Sequence, residues 1–560
     1  MAASTHISAQ QHSATFTDRQ RTIALVVVAL GFVMDLLDST IVNVAIPTIQ
    51  TNLHATYATI QWLLAGYSLT FALLLITGGR MGDVFGYKKL FMIGMAGFTV
   101  ASLLSGVSVN SSMLIFARLL QGSMAALMVP QVFSLMQVMY KPEERASING
   151  LFGALGGTAA SLGPVIGGIL IRLNIAHLDW RPVFLINVPV GIFGLLAAQK
   201  YLPKGKSEHP LKLDLVGTGI VIVAMSLLIY PLIEGRQLGW PTWSYIMMIA
   251  SLPAFAIFAR WQVVKMRRDG SPLVTPALFH RQSFNAGLLI NMLFEAATLG
   301  FFLTFTLVIQ IGLGFTPIHA ALTGLPIAIG IALTMATLGE KVLPKLGRRA
   351  MMLGCVLLSL GLLVTYEVFH RYGVAVHSWQ LIGGLLLIGI AMGCVFASLF
   401  AAVLNGVDVK HAGAASGILN AVQQVGGAVG VALVGVVFFG QISHHAPASF
   451  DSVKPQLVAS LQAEHVPAAA QASIISGTQD CFIDRSQEKD SSVVPASCKQ
   501  TGSDPKLAAV ITKTADKANA TNFSNAFHAA AIFSIIVLVL IFTLSFALPS
   551  HVNPETVPQV

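Results

Sequence analysis

The sequence predicts an all-α integral membrane protein with fourteen spanning helices. Three observations carry that reading. The 560 residues are 55% hydrophobic and only 10% charged, whereas soluble domains carry about 25% charged residues. Apolar runs of roughly 20 residues, the length that crosses a bilayer, recur from Thr22 to Leu548. The basic residues gather in short clusters between alternate runs, as cytoplasmic loops of multi-pass proteins do. That clustering also excludes nucleic acid as a partner, because the net charge of +9 is dispersed over loops and forms no binding stripe.

The elements follow in order. Residues 1–21 are polar and contain no short apolar stretch with a small-residue cleavage site, so they read as a cytoplasmic tail. Runs at 22–46, 60–79, 90–108, 112–138, 147–171 and 182–200 make an N-terminal six-helix half, 22–200. Two inserted helices, 213–233 and 244–262, lie with a linker in 201–283. Runs at 284–310, 317–338, 349–369, 379–404, 413–440 and 526–548 make the C-terminal half, 284–548, and residues 549–560 form a second cytoplasmic tail. Inner loops then hold clusters such as Arg80, Lys88 and Lys89, or Arg267, Arg268 and Arg281, while the short outer loops hold only Arg172, Arg181, Arg236 and Arg371. The asymmetry gives an orientation with both termini inside. An even insertion between the halves keeps them parallel, as parallel transporter repeats require.

The segment 441–525 is the one long polar insertion and is expected as an extracytoplasmic loop. Its two cysteines, Cys481 and Cys498, form a disulfide if that compartment is oxidising, and are otherwise free thiols. Cys355 and Cys394 lie in apolar runs and read as core residues.

Chemistry concentrates in "GFVMDLLDSTIVNVAIP", residues 31–47. Each acid at the centre of a span costs roughly 2.5–3.5 kcal/mol to insert, yet Asp35 and Asp38 share one helical face three residues apart. Intramembrane charges face a cavity or each other, which makes these acids candidates for proton or cation binding. Arg118, inside the fourth run, is their candidate partner, the alternative being an arginine snorkelling to the interface. Glu295, mid-span in "LLINMLFEAATLGFF", is a second-half acid with Asn291 one turn away as a candidate hydrogen-bond donor. Its alternative is a structural polar contact.

Five stretches carry a resemblance. "GRMGDVFGYKK" (79–89) resembles the loop signature of the major facilitator superfamily at Gly79, Gly82, Asp83, Gly86, Lys88 and Lys89, with Val84 and Tyr87 departing from basic positions. "ARLLQGSMAALMVP" (117–130) is similar to that family's fourth-helix Arg-x-x-Gln-Gly motif. "GALGGTAASLGPVIGGIL" (153–170) resembles its fifth-helix antiporter motif at Gly163, Pro164, Gly167 and Gly168, with Gly153 and Gly157 as a further small-residue pair. "LLDSTIVNVAIP" and "DWRPVFLINVPVGI" (179–192) resemble signatures of the fourteen-helix drug:proton antiporter branch. The resemblance implies a major-facilitator-type bundle of two pseudo-symmetric halves, a latch at Asp83 and Lys88, and proton-coupled efflux of amphipathic organic compounds by alternating access.

On that reading the partners are small-molecule substrates, protons and the lipid bilayer of a bacterial inner membrane, with a periplasmic adaptor left open. The alternatives are a proton-coupled or facilitative importer of a small metabolite, and a non-transporting membrane sensor. No cofactor, metal or enzymatic activity is expected. The chain has no phosphate-binding Gly-Lys-Ser/Thr loop, no His-Glu-x-x-His and no Gly-x-Ser-x-Gly elbow.

Overall fold

The computed structural model describes residues 18–207, 211–339, 342–404, 409–488, 494–500 and 505–548, and among them every regular element is helical. The first half comprises α1 (Asp18–Asn52), α2 (Tyr57–Phe85), α3 (Tyr87–Gly106), α4 (Ser111–Met139), α5 (Pro142–Leu173), α6 (Pro182–Leu185) and α7 (Asn187–Tyr201). A hairpin of α8 (Leu215–Gln237) and α9 (Thr242–Asp269) follows. The second half comprises α10 (Gln282–Leu307), α11 (Pro317–Thr334), α12 (Leu343–Leu346), α13 (Arg348–Tyr372), α14 (Ser378–Leu404), α15 (Val409–Ala463), α16 (Ala468–Gln487) and α17 (Pro505–Leu544). Among the described residues, thirteen helices are long and apolar enough to cross a membrane. The expected fifth span is α5, whose apolar described part is Leu162–Leu173. Residues 1–17 and 549–560 of the expected tails lie outside the described residues, as do the surroundings of Gly153 and Gly157.

The two halves repeat one packing plan. In the first, α1 packs on α5, α4 on α2 and α3, and α7 on α1 and α3. In the second, α10 packs on α15, α14 on α11 and α13, and α17 on α10 and α13. The halves then meet through two equivalent seams, α2 against α15 and α5 against α11. At the end of the bundle that carries the α1–α2 turn, the Tyr57 and Phe439 rings lie 4.0 Å apart across one seam. Gly168 approaches the Ile318 backbone across the other, so closely that an added Cβ would stand 2.8 Å from the Ile318 Cα. Small residues permit such approach between helices in a bilayer.

The α8–α9 hairpin lies over the α2–α15 seam but is hydrogen-bonded to α2. Trp62 Nε1 donates to Glu234 at 2.8 Å, and the Thr77 and Thr218 hydroxyls are 2.8 Å apart. Arg80 donates to the linker carbonyls of Ser271, at 2.9 Å, and Pro272. Asp214 closes the linker by accepting from Trp261 and Gln262 of α9 and from the backbone amide of Leu273.

The long polar segment 441–525 is not a simple loop. α15 continues as helix to Ala463, α16 is wholly within the segment, and α17 begins at Pro505. Ala446, Phe450, Val453, Leu457, Leu461, Phe482 and Ala518 form a small core of their own beyond the bundle. That apolar spacing, diluted by polar neighbours, is the amphipathic pattern of surface helices. Cys481 and Cys498 are joined by a disulfide across 17 residues, and Cys355 and Cys394 are free and buried.

Candidate functional site

The two acids of α1 have different surroundings. Asp38 is completely buried and pairs with Arg118. The same carboxylate accepts Gln121 Nε2 at 2.8 Å and Asn187 Nδ2 at 2.9 Å. Arg118 donates further to Gln121 Oε1 at 2.7 Å and to the Leu63 carbonyl at 3.2 Å. Its guanidinium lies 4.3 Å over the Tyr67 ring and 5.7 Å from that of Phe184. Gln121 passes the network on to Ser102 at 2.8 Å. The arginine therefore does not snorkel; it is 1% exposed. A buried pair persists where further hydrogen bonds support both ions, and here α2, α4 and α7 supply them.

Asp35, one turn earlier on α1, is also buried but accepts only from the Tyr67 hydroxyl and enters no ion pair among the described residues. Tyr67 thus stands between the acids, its hydroxyl on Asp35 and its ring face under the cation that serves Asp38. Sequence reasoning missed Tyr67 and Asn187. The available signal was a lone polar group in an apolar span, and for Asn187 its position inside the "DWRPVFLINVPVGI" stretch.

The fifth-helix glycines connect this site to the seam. An added Cβ at Gly163 would strike Thr40, and one at Gly167 would stand 2.8 Å from Ile41 Cγ1. Both α1 residues follow Asp38 within a turn. Gly168, next along α5, faces α11 of the other half. Pro164 lies within the same helix.

The loop motif is less united. Asp83 accepts from the Tyr87 hydroxyl at 3.0 Å, while Lys88 caps the end of α7 through the carbonyls of Gln199, at 2.8 Å, and Leu202, at 2.9 Å. Lys89 is exposed. Asp83 and Lys88 are therefore not brought together here, and both bond within their own half. Gly86 has a φ of 99°, a conformation that favours glycine, at the sharp turn between α2 and α3. Gly82 lies flush against Gln131 of α4, and Gly79 against Pro130. Arg80 makes the motif's longest reach, into the linker described above.

In the second half, Glu295 is half-buried on α10 and accepts from Gln423 of α15 at 3.4 Å. Asn291 is not its partner; it donates to the Leu419 carbonyl at 2.8 Å. The helix geometry explains the difference, since Asn291 projects toward α15 one turn before Glu295 and finds an accessible carbonyl there. Phe294 and Phe301 are core residues, whereas Phe32 and Phe302 are half-buried.

The Major Facilitator Superfamily model matches residues 28–431. The "Probable actinorhodin transporter" of Streptomyces coelicolor is 37% identical over 541 residues, covering 96% of this chain and 93% of that protein. The "Tetracenomycin C resistance and export protein" of Streptomyces glaucescens is 32% identical over 430 residues, covering 76% of this chain and 77% of that one. A crystal structure of a bacterial homologue of the human lysosomal transporter Spinster, inward-facing and unoccupied, superposes with a TM-score of 0.57. That likeness covers 96% of this chain and 100% of the other at 14% identity, and it speaks to the fold alone.

Proposed function

This chain belongs to the Major Facilitator Superfamily, a family of membrane transporters and not of enzymes, and from that premise we propose that it exports amphipathic organic compounds in exchange for protons. The similarity to an antibiotic export protein supports the direction and the substrate class. One observation carries the proton coupling: α1 holds two buried acids of which, among the described residues, only Asp38 enters an ion pair. Desolvation favours the protonated form of an acid, and an adjacent cation favours the ionised form. Asp38 is held in its pair with Arg118, and on this reading the acid outside the pair, Asp35, is the group that takes up and releases a proton. Glu295, also without an ion pair among the described residues, is its counterpart in the second half.

Alternating access supplies the two exposures. With both termini inside, the α1–α2 end faces outward and the halves are joined there at Gly168 and Ile318 and at Tyr57 and Phe439. Export requires those contacts to part. Because Gly163 and Gly167 rest on the turn of α1 that follows Asp38, a proton arriving at the acids and the parting of α5 from α11 act on one helix.

Everted membrane vesicles test the reading. Dye or antibiotic accumulation should follow an imposed proton gradient, collapse with nigericin, and be abolished in Asp35→Asn. Accumulation that survives collapse of the gradient would overturn antiport.

A further inference from the structure

We propose that Trp62, Tyr230, Trp243 and Glu234 form a peripheral binding site for a lipophilic organic cation, separate from the acids of α1 and from Glu295. Glu234 sits near the C-terminal end of α8, where one carboxylate oxygen accepts Trp62 Nε1 from α2 at 2.8 Å. Tyr230, one turn earlier on α8, has its ring 6.2 Å from that of Trp62 and 5.7 Å from that of Trp243 on α9. Rings from three helices thus form one cluster, and Trp62 within it bonds the acid. Among the described residues Glu234 enters no salt bridge, and its second oxygen accepts no hydrogen bond.

Tryptophan and tyrosine gather at membrane boundaries, which accounts for the rings but not for the acid among them. A carboxylate beside aromatic faces is what a large organic cation requires, since each ring attracts positive charge over its face. A single carboxylate cannot replace the oxygen shell of a hard metal ion, so the chemistry selects a delocalised or aryl-substituted onium ion. The site is open to such a ligand: Glu234 is half-buried and Tyr230 is 41% exposed. It involves α2, α8 and α9 only, so it stands or falls apart from the export reading.

Binding of tetraphenylphosphonium to the purified full-length protein in detergent tests it. The wild type should bind the cation, Glu234→Gln should weaken that binding about tenfold, and Glu234→Asp should retain most of it. Trp243→Ala, at the half-exposed rim, should weaken it severalfold and guards against a folding defect in the Glu234 variant. Tetraphenylborate, an anion of the same shape, should show no Glu234-dependent binding. Asp35→Asn should keep the Glu234-dependent component, whereas its loss of transport would bear on the export reading only. Equal affinity in wild type and Glu234→Gln, no binding by the wild type, or equal Glu234-dependence for the borate would each overturn the proposal.

Discussion

Replacing Arg118 with glutamine while leaving Asp38 in place isolates a charge that the fold has buried completely. Three losses follow from the geometry. The ion pair disappears, the Leu63 carbonyl and Gln121 Oε1 lose a charged donor, and the guanidinium leaves the faces of Tyr67 and Phe184. Breaking one side of a buried pair costs about 3–5 kcal/mol. Gln121 and Asn187 still donate to the carboxylate, which keeps the estimate near the lower end, and the lost cation–π contacts add about 1 kcal/mol. Arg118→Gln should therefore destabilise the protein by roughly 4 kcal/mol. The double variant Asp38→Asn/Arg118→Gln removes both charges of the pair, and it should be more stable than Arg118→Gln by about 2 kcal/mol or more. Unfolding of the purified protein in mixed micelles, titrated with a denaturing detergent, reads both differences. If the double variant is no more stable than the single one, the pair is not coupled and the assignment of Arg118 as the partner of Asp38 fails.

Four shorter tests address other parts of the structure. Gly168→Ala places a Cβ 2.8 Å from the α11 backbone, so the outer seam must shift at about 1–3 kcal/mol; cysteine pairs across α5 and α11 should cross-link less readily than in wild type. A Thr77→Cys/Thr218→Cys cross-link should leave transport intact, because the hairpin is hydrogen-bonded to α2; loss of transport would show that the hairpin moves against the first half. At Asp214, desolvation by burial works to raise the carboxyl, but hydrogen bonds from Trp261, the Gly217 amide, Gln262 and the Leu273 amide outweigh it and hold the group below the usual carboxylate range. The stabilisation of the linker is then complete above the unfolded value of about 4 and is lost as pH falls through the folded one, so proteolysis near residue 211 should accelerate only in acid, and Asp214→Asn should remove that dependence. Cys481→Ser opens a 17-residue closure worth about 3 kcal/mol in chain entropy, and should speed cleavage between α16 and α17 without altering the bundle.

The bundle was legible because its signals are local. An apolar run of bilayer length and a basic cluster need no partner to be recognised, and the span positions agree with the helices apart from their ends. The ends were misjudged where helices leave the apolar region, above all at α15, whose polar extension carries its own small core of Phe450, Leu457 and Phe482. Residues with chemistry were legible for the same reason: an acid or arginine inside a span is conspicuous by its cost. Arg118 was legible as a partner on the same ground, but the uncharged partners were not. Asn187 lies 149 positions from Asp38, and Gln423 lies 128 from Glu295, so only the packing of α7 on α1 and of α15 on α10 reveals them. Asn291 illustrates the converse, since helical spacing suggested Glu295 and tertiary packing offered the Leu419 carbonyl instead.

The difference between Asp35 and Asp38 follows from the same packing. Both face one side of α1, and sequence spacing alone makes them equivalent. Only one of them points at Arg118 on α4 and Asn187 on α7, and that one is bonded by both helices. The other is held by a single phenol, from Tyr67, whose ring also carries the cation. Movement of α2 against α1 would therefore change what Asp35 meets while leaving Asp38 bonded to α4 and α7. α2 is also the helix that packs on α15 of the other half and carries the hairpin. A rearrangement of that seam reaches Tyr67 through α2 directly, and it reaches the turn after Asp38 through Gly163 and Gly167 of α5. If the halves move as the proposed exchange requires, Asp35, held by one phenol, is the acid whose surroundings would change.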